Sequence, residues 1–276
     1  MRPGRTDLAA LGLLLAPALA IAWEARTTPH LEVSGPARTE ILESRIRIVS
    51  WNVHKRSDSV FLSELAHLVD SVAADIVLLQ EFASRDPQHF AAALGGRPWA
   101  LSSNLRTGSP PVETGVSTAS RSIQRSQGLL SEGAEPVVGS RKAALATWHP
   151  CGGDTLLAIN LHALNFSIRL DNFRQQLGEV QRLAAHHAGP VVVAGDFNTW
   201  REGRIRTTDS LLGEAGLVRL DFGAAEAGKR RAFGHALDHV YYSPRYLRPD
   251  PSGCAVPTEY RTSDHFPLIA TFDRVP

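Results

Sequence analysis

The sequence predicts an α/β protein built from two mixed β-sheets packed face to face, with helices on the outside. Three observations predict it. Short apolar β-type runs alternate with amphipathic helical ones near both ends of the globular part. Between them lies a series of strand-like pieces without long helices, which excludes a purely parallel sheet or barrel. Finally, several apolar strands stop abruptly at a polar side chain instead of fading into a polar loop, as in "VVVAGDFNTW", residues 191–200.

The elements follow in order. Residues 45–53 (RIRIVSWNV) alternate with period two and end at Trp51 and Asn52. Residues 60–72 carry apolar side chains at 61, 65, 68, 69 and 72, one face of a helix. DIVLLQ, residues 75–80, is a buried strand running into Glu81, and residues 86–95 read as a further helix. Strands are expected at 98–102, 114–120, 123–130, 142–149 and 155–161, the last two joined by the hairpin-type loop Pro150-Cys151-Gly152-Gly153-Asp154. A long helix then places 170, 173, 177, 180 and 184 on one stripe and stops at Gly189-Pro190. The strand 191–194 follows, and strands over 237–242 and 265–272 close the chain. Residues 103–113 and 201–236 read as polar or glycine-bearing rim loops.

The first 25 residues stand apart. Arg2 and Arg5 precede an uncharged run, Leu8 to Trp23, with small-residue cleavage sites at Ala18-Leu19-Ala20 and Ala20-Ile21-Ala22. Shorter than the roughly 20 residues that span a bilayer, the run reads as a signal peptide or an N-terminal membrane anchor. The protein is thus expected to be exported: periplasmic, anchored at the inner membrane, or secreted. Residues 26–44 read as a linker and 45–276 as the folded domain. In an oxidising compartment Cys151 and Cys254 can pair or stand as independent thiols. The 29 basic and 28 acidic residues nearly cancel, so any grip on nucleic acid or anionic lipid must be local.

The strand-end residues are Asn52, Glu81, His162, Asp196 and Asn198, with Asp238 and Asp264-His265 flanking the last two strands. Each has an ordinary explanation alone. Asn52 suits a turn, Glu81 a helix cap, His162 an interior histidine, Asp238 an ion pair with Arg230 or Arg231, and Asp264-His265 a turn. Together they suggest one shared site, because rigid sheets present chemistry at their ends. Glu81, Asn52 and Asp264 offer only oxygen donors, which suits a hard cation such as Mg²⁺ or Mn²⁺ and not zinc. His265 beside an acid fits a general base or phosphate ligand, while Asp196 and Asn198, on the same side of the backbone, can deprotonate and orient a water.

The ordered set "IVSWNV", "VLLQE", "NLHALN", "VVVAGDFN", "LDHVYYS" and "SDHFPL" resembles the endonuclease/exonuclease/phosphatase superfamily, the fold of DNase I, exonuclease III type repair nucleases and neutral sphingomyelinases. It is most similar to a bacterial branch with "NLHALNFS" and "RRAFGHALDHVYY"-like stretches, and runs from about residue 45 to 273. The resemblance implies a four-layer α/β/β/α sandwich that hydrolyses phosphoester bonds with a divalent metal. It makes Glu81 the principal metal ligand with Asn52 beside it and Asp264 assisting. Asp196 and Asn198 handle the nucleophilic water, Asp238 orients His265, and His162 stabilises the transition state or protonates the leaving group. Lys142, Asn165 and Arg231 are expected to touch substrate. One departure is that the strand before His162 reads Ser140-Arg141-Lys142-Ala143-Ala144-Leu145, without the tyrosine of exonuclease III type enzymes. Lys142 or Arg141 would hold a phosphate there instead.

The leading expectation is a phosphodiesterase acting on nucleic acid. Lys229-Arg230-Arg231 with Arg201, Arg204 and Arg206 would supply a local basic rim. The alternatives are a phospholipid or small-molecule phosphoesterase with the same chemistry, and a non-catalytic binding module on the same scaffold. No protein partner is read from the sequence, and membrane attachment would run through the N-terminus.

Overall fold

In the computed structural model of the chain, the structure describes residues 30–34, 40–83, 85–135, 139–165 and 170–275. The expected signal or anchor segment lies outside the described residues.

One sheet has seven strands in the order β1 (His30–Ser34), β4 (Trp99–Thr107), β5 (Val112–Ala119), β3 (Ile76–Ala83), β2 (Arg45–Asn52), β15 (Leu268–Arg274) and β14 (Leu247–Pro249). The other has six, in the order β10 (Val218–Arg219), β13 (Asp238–Tyr242), β9 (Val191–Asp196), β8 (Asp154–His162), β7 (Arg141–Cys151) and β6 (Arg125–Ala134). A two-residue ladder joins β11 (Arg231–Ala232) to β12 (His235–Ala236).

Each sheet contains one parallel pair, and each pair is joined by a helix. β2 and β3 are connected through α1 (Ser59–Val72), and β8 and β9 through α3 (Asp171–Ala185). These are the two βα units the apolar periodicity announces; the remaining neighbours are antiparallel, so both sheets are mixed. α1 starts where Asp58 accepts the amide of Phe61 and stops where Ala73 turns left-handed at φ 50°. The shorter α2 (Pro87–Ala93) opens at Asp86 with proline in its first turn.

The core divides into layers that show how the sheets stack. Between the sheets lie Ile46, Ile48, Ile76 and Leu78 from one and Leu156, Ala158, Val192 and Ala194 from the other. On the outer face of the larger sheet, Val49, Trp51, Val77 and Leu79 meet Phe61, Leu65, Leu68 and Val69 of α1. On the outer face of the smaller sheet, Leu157, Ile159 and Val193 meet Phe173, Leu177, Val180 and Ala184 of α3. Alternate residues of each strand therefore feed two apolar layers, which is why the strands read as near-continuous apolar runs. Each fully buried Val, Leu, Ile or Phe contributes roughly 1.5–3 kcal/mol. The result is the α/β/β/α sandwich the sequence predicts.

Three expectations are corrected. Residues 30–34, inside the expected linker, pair antiparallel with β4 at a sheet edge. The expected rim loop 201–236 contains a helix, α4 (Glu202–Glu214). Its buried face is Arg204, Thr207, Thr208 and Leu212, so apolar periodicity could not reveal it. The expected loop 103–113 is mostly strand, because β4 runs to Thr107 and β5 starts at Val112. Cys151 is buried and Cys254 half-buried, and they stand as separate thiols against the inter-sheet core.

Candidate active site

The inward positions of the central strands change character toward one end. On β2 the sequence Ile46, Ile48 is followed by Ser50 and Asn52; on β8, Leu156 and Ala158 are followed by Asn160 and His162; on β9, Val192 and Ala194 give way to Asp196. Register then aligns the polar ends: His162 lies opposite Asp196, and Asp196 opposite Asp238. Beneath them a polar bridge spans the sheets, in which Gln80 Nε2 donates to Asn160 Oδ1 at 2.7 Å. Asn160 Nδ2 in turn donates to the carbonyls of Leu79 and Ser117. The strands carrying Glu81 and His162 are thus tied one residue, and two residues, before those groups.

Asp196 is the most constrained of the site groups. Its Oδ2 accepts from Asn52 Nδ2 at 3.0 Å and its Oδ1 from the Asn198 amide at 2.9 Å. Asn198, at φ 50°, has its Nδ2 committed to the Ala163 carbonyl, 2.9 Å away. Burial, reinforced by the charge of Asp238, raises the Asp196 carboxyl to about 6 against the opposing pull of His265. His265 Nδ1 donates to Asp238 Oδ2 at 2.8 Å, and its Nε2 lies 4.0 Å from Asp196 Oδ2. Burial works against charge on this ring, yet Asp238 first, and then Asp196 and Asp264, hold it charged with a pKa of about 10. The loop carrying it is fixed to β2: Ser263 Oγ accepts the His265 amide and donates to the Asn52 carbonyl, and Trp51 Nε1 donates to the His265 carbonyl.

His162 behaves oppositely. Burial, then the charges of Lys142, His265 and Lys55, drive its pKa well below the ordinary histidine value, so it is neutral. Its Nε2 lies 3.7 Å from Asp196 Oδ2 and 3.8 Å from Glu81 Oε1. Glu81 sits where the β3–β5 register shifts, with φ 50°, a conformation costly for a residue with a Cβ and typical of functional positions. Its other carboxylate oxygen is 3.8 Å from Lys55 Nζ.

Asn52, Glu81, His162, Asp196, Asn198, Asp264 and His265 all line one cavity of about 430 Å³, as do Lys142 and Asn165. Asp238 stands behind His265 and reaches the site through it. Two donor sets suit a cation. Asp196, Asp238 and His265 present atoms within 4.8 Å of one another, but the Nδ1 of His265 is already spent on Asp238. Glu81, Asn52 and Asp264 line the cavity and carry oxygen donors, the chemistry of a hard divalent ion. In this structure Asn52 Oδ1 accepts the His54 amide at 3.0 Å, and Asp264 lies 3.4 Å from both His54 Nδ1 and Arg230.

The expected substrate contacts are redistributed. Lys142 Nζ lies 3.6 Å from Glu135 Oε1, which also accepts the Asn165 amide at 3.0 Å. Arg231 is a correction: it leaves the cavity, donating to the carbonyls of Gly234 and Glu226, and lines a separate depression. Its neighbour Arg230 faces the site and reaches Asp264 at 3.4 Å, because alternation along the ladder sends adjacent residues to opposite sides. The expected basic rim also dissolves. Lys229 is buried against Glu226 and over the Phe222 ring, and Arg204 is buried over Phe173 with a bond to the Leu164 carbonyl. The lysines and arginines that do line the cavity are Lys55, Lys142 and Arg230, beside the charged His265. Lys55, His54 and Glu135 were missed by sequence reasoning. The His54 and Lys55 pair comes just after Val53 in left-handed backbone, a turn that strand patterns do not mark, and nothing in the pattern around Glu135 distinguishes it.

The chain is similar in sequence and in fold to known proteins. The model of the Endonuclease/Exonuclease/phosphatase family matches residues 49–265, from β2 to His265. A protein of Erwinia tasmaniensis named UPF0294 protein is 32% identical over 238 residues, covering 83% of this chain and 82% of the relative. Among solved structures, an endonuclease/exonuclease/phosphatase family protein from Leptotrichia buccalis superposes with a TM-score of 0.63 at 16% identity, over 83% of this chain and 99% of the other. TDP2 of D. rerio, complexed with single strand DNA product, superposes with a TM-score of 0.61 at 17% identity over 83% and 99%. With a family match across most of the folded domain and a relative this similar over its length, the chain belongs to the endonuclease/exonuclease/phosphatase family.

Proposed function

We propose that this protein is a divalent-metal-dependent phosphodiesterase acting on nucleic acid, outside the cytoplasm, and either released from or attached to the membrane by its N-terminal segment. One observation carries the chemistry: a buried carboxylate, Asp196, held by two hydrogen bonds and facing an imidazolium that is itself paired with Asp238. With its pKa raised to about 6, Asp196 is ionised at neutral pH yet basic enough to take a proton. A water oxygen attacks phosphorus, its proton passes to Asp196, and the bond to the leaving oxygen breaks with the electron pair on that oxygen, which is protonated from solvent. His265, held charged by Asp238, and Lys142 and Arg230 balance the charge on the non-bridging oxygens. Glu81, Asn52 and Asp264 would hold Mg²⁺ or Mn²⁺, which when bound supplies Lewis-acid stabilisation of a phosphate oxygen.

The nucleic-acid assignment is supported by the two lysines and the arginine of the cavity and by the shared fold of TDP2, whose structure carries a single strand DNA product. A phospholipid headgroup is the second reading, raised by one observation: Phe233 stands 87% exposed next to the cavity-lining Ala232. The test offers supercoiled DNA, single-stranded DNA, RNA and sphingomyelin vesicles to the full chain with Mg²⁺, with Mn²⁺ or with EDTA. Nucleic-acid cleavage lost both with EDTA and in Glu81→Ala is the expected result. Headgroup release without nucleic-acid cleavage overturns the substrate, and silence on every substrate overturns the activity.

A further inference from the structure

Phe233 occupies a position that neither stability nor packing explains. Ala232 pairs with His235, so Phe233 and Gly234 form a two-residue loop with φ of 48° and 83°. A loop left-handed at both central positions is the type I′ turn, which favours Asn-Gly or Asp-Gly. A phenylalanine there adopts backbone that its Cβ disfavours. It also leaves its ring 87% exposed, the most exposed large apolar side chain among the described residues.

The surroundings point to what the ring does. Its centroid is 6.2 Å from that of Trp200 at an interplanar angle of 62°, an edge-on contact. Trp200 lies two residues after Asn198, and its Nε1 donates to the carbonyl of Asn165. At the base of the hairpin, Arg230 lines the cavity and pairs with Asp264. The aromatic pair is therefore fastened on both sides to elements that line the phosphate-reading cavity.

We propose that Phe233, backed by Trp200, is a stacking platform for a nucleobase flanking the phosphate held in the cavity. This rests on the nucleic-acid phosphodiesterase reading and deepens it to unpaired strands, whose bases are free to stack. A flat π-face accepts any base, and Arg230, three residues before Phe233, lines the cavity that takes the neighbouring phosphate. A membrane-inserting hairpin would need company for its aromatic. Here the chain neighbours are Arg231, Ala232, Gly234 and His235, the ring meets Trp200, and the other exposed large apolar residues, Leu31, Val33, Ile41, Val60 and Val218, belong to other parts of the chain. One exposed ring backed by a single half-buried indole makes no extended apolar patch.

The experiment measures binding in the full chain carrying Glu81→Ala, so that affinity is read without cleavage. The probes are a fluorescein-labelled single-stranded 12-mer, followed by anisotropy, and the same 12-mer with every base but the labelled end replaced by an abasic analogue. Phe233→Ala is expected to weaken the 12-mer by about 5- to 100-fold, the range of one lost base stack, and Phe233→Trp to restore it. On the abasic strand, Phe233→Ala and its parent should converge. Phe233→Asn suits the turn, so it should melt about 1–3 °C higher and yet bind the 12-mer as weakly as Phe233→Ala; this separates recognition from folding. With active enzyme the loss should fall on KM and spare kcat. Equal 12-mer affinity in Phe233→Ala, an equal loss on the abasic strand, or a Phe233 dependence confined to phosphatidylcholine–phosphatidylglycerol vesicles would overturn the platform. Failure of the wild-type chain to cleave any nucleic acid would strike the underlying activity instead, and that result is separate from every binding comparison.

Discussion

At one end of the layer between the sheets, β2, β3, β8 and β9 send Ile46, Ile48, Ile76, Leu78, Leu156, Ala158, Val192 and Ala194 inward. Two residues further on, the same strands send Ser50, Asn52, Gln80, Asn160, His162 and Asp196 into the same layer. Both ends are buried, and they are held by different physics. The apolar end is stabilised by area removed from water. The polar end recovers its desolvation only through directed bonds such as Gln80 to Asn160 and Asn52 to Asp196. The difference teaches that the site is a continuation of the core in which apolar packing has been exchanged for charge, with stability given up for a raised carboxylate and partly recovered by the imidazolium paired with it.

The sharpest way to break the comparison is Asp196→Asn, which keeps the shape and the Asn198 amide contact while removing the charge. Hydrolysis should fall by roughly 10²–10⁴-fold, the span of a lost general base. The melting temperature should hold or rise, because a buried carboxylate costs more to desolvate than an amide. A steady-state kcat within tenfold of wild type would remove Asp196 from the proton transfer.

The next test sets adjacent inward positions of β3 against each other. Leu78→Ala removes packing from the apolar end and should cost about 2–5 kcal/mol in urea unfolding, with kcat retained by the folded protein. Gln80→Leu leaves Asn160 Oδ1 without its donor and should cost less, about 1–3 kcal/mol. It also loosens the tie between the strands that carry Glu81 and His162, so kcat should fall by up to about 10²-fold through misplacement. If Leu78→Ala lowered kcat as much as Gln80→Leu did, the two ends would not be separable and the bridge would have no special place in the site.

How much of this was legible beforehand follows the same division. Asn52, Glu81, His162 and Asp196 stood out because apolar runs terminate on them, and the two-residue alternation that buries Ala194 also turns Asp196 into the cavity. The two βα units were legible because α1 and α3 present apolar stripes. What escaped was whatever the protein buries in polar form. α4 packs through Arg204, Thr207 and Thr208, so it read as a loop. Arg204 and Lys229 read as surface cations because sequence does not show the Phe173 and Phe222 rings beneath them. Arg230 and Arg231 were indistinguishable until a two-residue ladder assigned them to opposite sides.

The smallest effect concerns titration, where two histidines of the inter-sheet region carry opposite signs. His149 on β7 is fully buried between Ser122 Oγ, 2.9 Å away, and Thr147 Oγ1, 2.8 Å away, and burial lowers its pKa to about 3. An unfolded histidine titrates near 6.5, so between pH 6.5 and 3 the unfolded chain binds the extra proton. The stability His149 allows is therefore present above pH 6.5 and is lost as pH falls toward 3, by at most about 1.4 kcal/mol per pH unit. His265, raised to about 10, contributes stability that is fully present below pH 6.5 and is lost as pH rises through 10. Asp196, raised to about 6, opposes His149 between its unfolded value and 6, but it does so equally in wild type and in a His149 variant. Urea unfolding of wild type and His149→Gln at pH 7 and pH 5.5 isolates the term. The variant should lose about 1 kcal/mol less than wild type over that interval, whatever its absolute stability. Equal losses would mean that the His149 ring acquires its proton in the folded state at no cost, and the far end of the layer would then be no drier than the active site.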